Sequence, residues 1–124
     1  MSQALVVEDE IHIQRLIKLV LEKNGFTVAT ADSGEEALAY VKAHPNEHPK
    51  LILLDILMPG IDGLQVLGTI KGSHDTKNIP VIMLTALAQE NVVLKGIKLG
   101  AKDYIRKPFD PKALVERVKK VVNG

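Results

Sequence analysis

Five short apolar runs alternate along this chain with five stretches of helical periodicity, and that alternation leaves few folds open. The runs are Ala4–Val7, Thr27–Ala31, Leu51–Leu54, Val81–Leu84 and Tyr104–Ile105 with its flanks. Each is too short for a buried helix and suits a strand. The first helical stretch carries Ile13, Leu16, Ile17, Val20 and Leu21 and ends before Gly25, which suits a C′ position. The second begins at Ser33, with Glu36 three residues on, the pattern of a capping box. The third lies near Leu64–Ile70. The fourth runs near Gln89–Leu99 and is closed by Gly100. The fifth has Asp110 as N-cap, Pro111 at its first position, and an inner face of Leu114, Val118, Val121 and Val122.

Strands that alternate with helices pair in parallel, because each crossover helix returns the chain to the same edge of the sheet. The expected fold is therefore α/β, a doubly wound five-stranded parallel sheet with helices on both faces. Strand composition also predicts strand order. Runs one, three and four (ALVV, LILL, VIML) are continuously apolar, as central strands buried on both faces must be. Runs two and five mix polar with apolar residues, like edges. That arrangement matches the order 2-1-3-4-5. His44–Lys50 and Gly72–Asn78 are expected to be exposed loops.

With 124 residues the chain is expected to form one domain, 1–124. A hydrophobic share of 46% supports a core without staples, and the absence of cysteine excludes a disulfide framework and thiolate chemistry. Net charge of +1 gives no field directed at nucleic acid or membrane. No apolar run approaches the roughly 18 residues a membrane-spanning helix requires. The start, Met1-Ser2-Gln3, does not read as a signal peptide, so a cytoplasmic location is expected.

The chemistry lies at the residues that close the strands. Glu8 and Asp9 come directly after strand one, Asp55 ends strand three, Thr85 ends strand four and Lys107 ends strand five. In an open parallel sheet the ligand crevice lies beyond the carboxyl ends of the strands. Three carboxylates and one ammonium leave a charge of −2 on one small patch, which calls for a cation. All-oxygen donors without His or Cys favour Mg²⁺. A lysine ammonium and a threonine hydroxyl can each hold a phosphoryl oxygen, and a carboxylate is a competent nucleophile toward phosphorus.

These residues lie in the stretches LVVEDE (5–10), LILLDILMPGIDG (51–63), PVIMLTA (80–86) and GAKDYIRKPF (100–109). Together, in this order and at these separations, they resemble the receiver domain of two-component response regulators, of the chemotaxis-regulator-like, flavodoxin-like kind. The resemblance covers essentially the whole chain. It implies that Asp55 is the phosphoacceptor, and that Asp9, Asp55 and the backbone carbonyl of Leu57 are direct Mg²⁺ ligands. By the same resemblance Glu8 holds metal-bound water, Thr85 and Tyr104 are the switch pair, and Lys107 binds the phosphoryl group. A cis Lys107–Pro108 bond is also implied. The partner is then a sensor histidine kinase or phosphotransfer protein. The output is a remodelled face of helix four, strand five and helix five, read by an effector domain or protein. A homodimer formed on phosphorylation is compatible with that output. Such a protein is a switch and not a turnover enzyme.

Two departures matter. Most members carry two aspartates after strand one, and here the first is Glu8. The positions two residues after Asp55 and Thr85, which in the family flank the path of the hydrolytic water, are Leu57 and Leu87. Two apolar groups there imply slow self-dephosphorylation. Gly96, Val92 and Val93 also make helix four intrinsically weak, and it is expected to be the mobile element.

Plainer readings exist for each group. Glu8-Asp9-Glu10 could be an acidic helix start, Thr85 a strand terminator, Tyr104 an edge aromatic, and Lys107 a solvated lysine. Lys112, Arg117, Lys119 and Lys120 read first as a solvated basic face and next as a partner-docking face, and His12, His44, His48 and His74 are scattered without a role. Among rival functions, an aspartate-nucleophile phosphohydrolase of the haloacid dehalogenase type needs a second aspartate where Leu57 stands. Nucleotide binding needs a glycine-rich phosphate loop after strand one, where EDE stands instead. A phosphorylation-independent interaction domain would lack the acceptor or the lysine.

Overall fold

The computed structural model describes residues 2–58, 60, 62–86 and 90–123. Five strands alternate with five helices: β1 (Ser2–Val7), α1 (Ile11–Lys23), β2 (Phe26–Ala31), α2 (Gly34–Ala43), β3 (Leu51–Asp55), α3 (Gly63–Gly72), β4 (Val81–Ala86), α4 (Glu90–Leu99), β5 (Asp103–Lys107) and α5 (Pro111–Asn123). All strand pairs are parallel, in the order β2-β1-β3-β4-β5. The three continuously apolar strands are the central ones, as their composition requires.

Alternation along each strand divides the core into two layers. Leu5, Val7, Ile52, Leu54, Val81 and Met83 face α2 and α3, packing with Val41, Val66, Leu67 and Ile70. Val6, Leu53, Ile82, Leu84 and Ile105 face the other way, onto Ile17 and Leu21 of α1 and Leu114 and Val118 of α5. Leu51 to Leu54 are fully buried, so truncating any one to alanine should cost about 2–5 kcal/mol. Among the described residues no helix is long and apolar enough to cross a membrane.

Local signals explain most boundaries. Gly25 and Gly100 take positive φ (89° and 114°) just after α1 and α4, where an L side chain would be strained. Ser33 Oγ accepts from Glu36 N at 3.1 Å, one half of the predicted box. A full reciprocal box lies elsewhere, between Asp62 and Gln65 at the start of α3. Asp110 Oδ1 accepts from Lys112 N, and Pro111 opens α5 as expected. Gln89, the expected start of α4, lies outside the described residues.

Three expectations need correction. Leu16 is 42% exposed, because the buried stripe of α1 runs through Gln14, Ile17 and Leu21, and Leu16 sits about 100° around the helix from Ile17. Pro49 is buried and His48 half-buried in the otherwise exposed 44–50 loop. Gly96, expected to be only a weak point of α4, is a packing position: an added Cβ would lie 2.0 Å from Met83 Sδ.

Candidate functional site

The parallel topology brings the carboxyl ends of β1, β3, β4 and β5 to one edge. Glu8 leaves β1 with its backbone N–H donated to Ala31 O of β2 at 3.1 Å. Its side chain is fully buried, which no core requirement explains. Glu8 Oε2 accepts from Glu10 N at 3.1 Å. Glu8 Oε1 and Asp55 Oδ2 both face Lys107 Nζ, at 2.6 Å and 3.2 Å. Asp55 Oδ1 accepts from Leu57 N at 3.1 Å. One ammonium thus bridges two buried carboxylates supplied by strands 1 and 3 from a third strand, β5. The Lys107–Pro108 peptide is cis.

The electrostatics leave that bridge short of cation. Burial pushes Glu8 above the usual carboxylate range, and its shared hydrogen bond with Asp55 pushes it further; Lys107 and the Glu10 amide pull it back without cancelling. Burial works against the Lys107 ammonium, yet the hydrogen bond to Glu8 and the charges of Asp55 and Glu8 outweigh it and raise its pKa. Asp9 is exposed, and one carboxylate oxygen each from Glu8, Asp9 and Asp55 lie within 4.8 Å of one another. Three hard oxygen donors, one of them reluctant to ionise, form a donor set that fits a small divalent cation and offers nothing to a soft metal.

The other predicted residues are distributed around this centre. Thr85 is buried at the end of β4, one residue beyond Leu84, the register partner of Asp55. Leu57, two residues beyond Asp55, is 54% exposed. Leu87 lies outside the described residues. Tyr104 is not at the acidic centre. It is half-buried three residues earlier on β5, beside a groove of about 240 Å³ shared with Glu90, Val93, Leu94 and Arg106. The Arg117 guanidinium lies 5.9 Å from its ring centroid and donates to Tyr104 O and Asp103 Oδ1, both at 2.8 Å. Glu10 takes the plain role of a helix start. It is the N-cap of α1, accepting from His12 N at 3.2 Å and Ile13 N at 3.0 Å, and the His12 amide first among its contacts lowers its pKa.

Two contributors escaped sequence reasoning. Gly63 opens α3 against the end of β3, where an added Cβ would lie 2.7 Å from Asp55 O and 2.5 Å from Ile56 Cα. Gln14 is buried on α1 and donates to Glu8 O at 2.8 Å. A polar residue in phase with Ile17 and Leu21 was the signal available for it.

Comparison with known proteins places this geometry. Residues 4–119 match the family of the response regulator receiver domain. The phosphate regulon transcriptional regulatory protein PhoB of Klebsiella pneumoniae is 44% identical over 118 residues, covering 95% of this chain and 50% of that protein. The probable transcriptional regulator ycf27 of Cyanophora paradoxa is 43% identical over 121 residues, covering 98% and 48%. The chain therefore spans about half the length of these curated relatives. Among solved structures, a putative response regulator from Chloroflexus aurantiacus superposes with a TM-score of 0.92 at 36% identity, covering 99% of this chain and 98% of that one. The chemotaxis protein CheY4 of Vibrio cholerae gives 0.89 at 29% identity, with 98% of each chain covered.

Proposed function

The chain belongs to the response regulator receiver domain family, and from that premise we propose that residues 1–124 act as one receiver unit whose Asp55 accepts a phosphoryl group from a histidine kinase or phosphotransfer protein. Receivers are signalling switches and not classical enzymes. The observation that carries the reading is the double ion pair of Lys107, at 2.6 Å from Glu8 and 3.2 Å from Asp55, beside three clustered carboxylates.

The chemistry follows from what each group can do. Asp55 Oδ attacks phosphorus, the bond to the donor nitrogen breaks, and its electron pair leaves with the imidazole. Asp9, Asp55 and the Leu57 carbonyl are the proposed direct Mg²⁺ ligands, with Glu8 holding its water. Bound Mg²⁺ supplies charge neutralisation for the phosphoryl oxygens. Lys107 takes one phosphoryl oxygen, leaving Glu8 to do so, and the Thr85 hydroxyl takes another. Movement of Thr85 toward the phosphoryl group frees space for Tyr104, whose groove with α4 and β5 then closes or opens. The face of α4, β5 and α5 is the proposed output, biased between two packings and read by an effector domain or protein, with a homodimer as one form of that reading.

Incubation with a small acyl phosphate and Mg²⁺, followed by mass measurement, tests this. One phosphoryl group should be gained by the native chain and none by Asp55→Asn. Undiminished uptake by Asp55→Asn would sink the assignment.

A further inference from the structure

An amide in the inner stripe of α1 is costly unless it is bonded, since a buried donor left without a partner loses its hydration for nothing. Isoleucine or leucine would fill the place one turn before Ile17 on that stripe without that cost. Gln14 nevertheless stands there, 5% exposed. Both hydrogens of its Nε2 are used: one bond runs to Glu8 O and one to Asp32 Oδ1, each 2.8 Å, with a longer 3.4 Å approach to Ala31 O. These acceptors lie on two separate segments. Glu8 O belongs to the turn leaving β1, whereas Ala31 ends β2 and Asp32 follows it. The Glu8 N–H is also donated to Ala31 O.

The Glu8 backbone is therefore held at both ends. Its N–H is fixed by β2, and its carbonyl is fixed by Gln14. The Glu8 carbonyl belongs to the peptide that leads into Asp9. Fixing that plane sets the direction in which the Asp9 Cβ leaves the chain, and with it the approach of the Asp9 carboxylate to those of Glu8 and Asp55. Asp9 itself is exposed, and no hydrogen bond to its side chain stands among the described contacts, so its placement depends on the backbone.

We infer that Gln14 is a positioning residue for the acidic centre: through Glu8 O and Asp32 it orients the Glu8–Asp9 peptide so that the two carboxylates converge with Asp55 on a divalent cation. The inference rests on the receiver reading above. Groups that orient metal ligands typically change metal affinity by about 10–100-fold when removed.

The test is Mg²⁺ alone, titrated against Gln14→Met and followed by the amide NMR shifts of residues 8, 9 and 55. Methionine keeps the length and removes both donors without adding charge. Ile17→Val, on the same buried stripe, serves as a control for lost packing. The expected result is a Mg²⁺ dissociation constant about tenfold higher in Gln14→Met and within twofold of native in Ile17→Val. Hydrogen exchange at the Asp9 amide should also quicken in Gln14→Met before any Mg²⁺ is added. At saturating Mg²⁺, phosphorylation by acyl phosphate should return to near the native rate, since Gln14 touches no reacting atom. If Gln14→Met does not fold, Asp32→Ala removes one anchor of the amide from an exposed position. Measured in high salt to screen the lost charge, it should weaken Mg²⁺ binding about threefold, in the same direction but less.

An unshifted Mg²⁺ curve in Gln14→Met, or an equal shift in Ile17→Val, would overturn the inference. In the Asp32→Ala arm, affinity equal to native would do the same. A native chain that binds no Mg²⁺ would overturn the receiver reading and this inference together; normal native binding with an unshifted variant overturns the inference alone.

Discussion

Gly96→Ala sets helix propensity against packing at one atom. In an ordinary helix interior, alanine is about 1 kcal/mol better than glycine. At Gly96 the added Cβ would lie 2.0 Å from Met83 Sδ and 2.5 Å from Met83 Cε, with Leu67 Cδ2 behind at 3.7 Å. Contact between such atoms is normally made near 3.5–4 Å, so about 1.5 Å of overlap must be relieved. Methionine bends readily, but Met83 is fully buried on central strand β4 and has no solvent to move into. Relief must come from an off-rotamer Met83 or from α4 lifting off the sheet. Overpacking of this kind costs about 1–3 kcal/mol. An overlap this deep belongs at the upper end, so the net loss should be about 1–2 kcal/mol after the propensity gain. In a Met83→Ala background the obstacle is gone, and the same substitution should become neutral or stabilising by up to about 1 kcal/mol. Urea unfolding of the four chains of this cycle, followed by far-UV circular dichroism, measures both values. The coupling between the two sites should be about 1–3 kcal/mol. If Gly96→Ala stabilises the native chain, the packing argument is wrong and Gly96 is merely a weak link in α4.

Three further outcomes are expected. Glu8 holds its proton more tightly folded than unfolded, so its contribution to stability is whole below its ordinary value of 4.5 and is lost as pH rises through its raised folded value. Without Mg²⁺, native stability should therefore fall over that window relative to Glu8→Gln, and saturating Mg²⁺ should remove the fall; identical pH profiles for the two chains would refute this. Lys107→Met takes away a group that pulls Glu8 down, so the same loss should shift to higher pH, read by chemical denaturation across pH. Once phosphorylated, the native chain should dephosphorylate slowly after the donor is removed. Leu57→Asn combined with Leu87→Glu should shorten the lifetime roughly ten- to a hundredfold by orienting water; loss of the native phosphoryl group within seconds would contradict the slow reading.

The sheet could be read from the chain because each strand states its own environment. LILL at 51–54 tolerates no solvent on either side, while TVATA at 27–31 does, and that contrast separates the central strands from the edges. Glu8, Asp9, Asp55 and Lys107 were legible because each closes a strand, and parallel topology sends all such ends to one edge. The readings that failed depended on helix phase or atomic approach. Leu16 belongs to an apolar set but lies off the stripe that Gln14, Ile17 and Leu21 define. Gly96 looks the same in sequence whether it loosens a helix or admits Met83. The roles of Glu8 and Glu10 were also not separable by type, since both are acids beside a helix start. Only the geometry makes Glu10 the cap and sends Glu8 to Lys107.

Helix α3 contains glycine at 63, 68 and 72, and these three positions carry unequal freedom to vary over time. At Gly68 and Gly72 an added methyl meets nothing within 4 Å, so drift there is open. At Gly63 it would strike the main chain of Asp55 and Ile56, which cannot swing aside as a side chain can. Any heritable change at 63 would have to lever β3 away from its helix and shift Asp55, with its ion pair to Lys107, along with it.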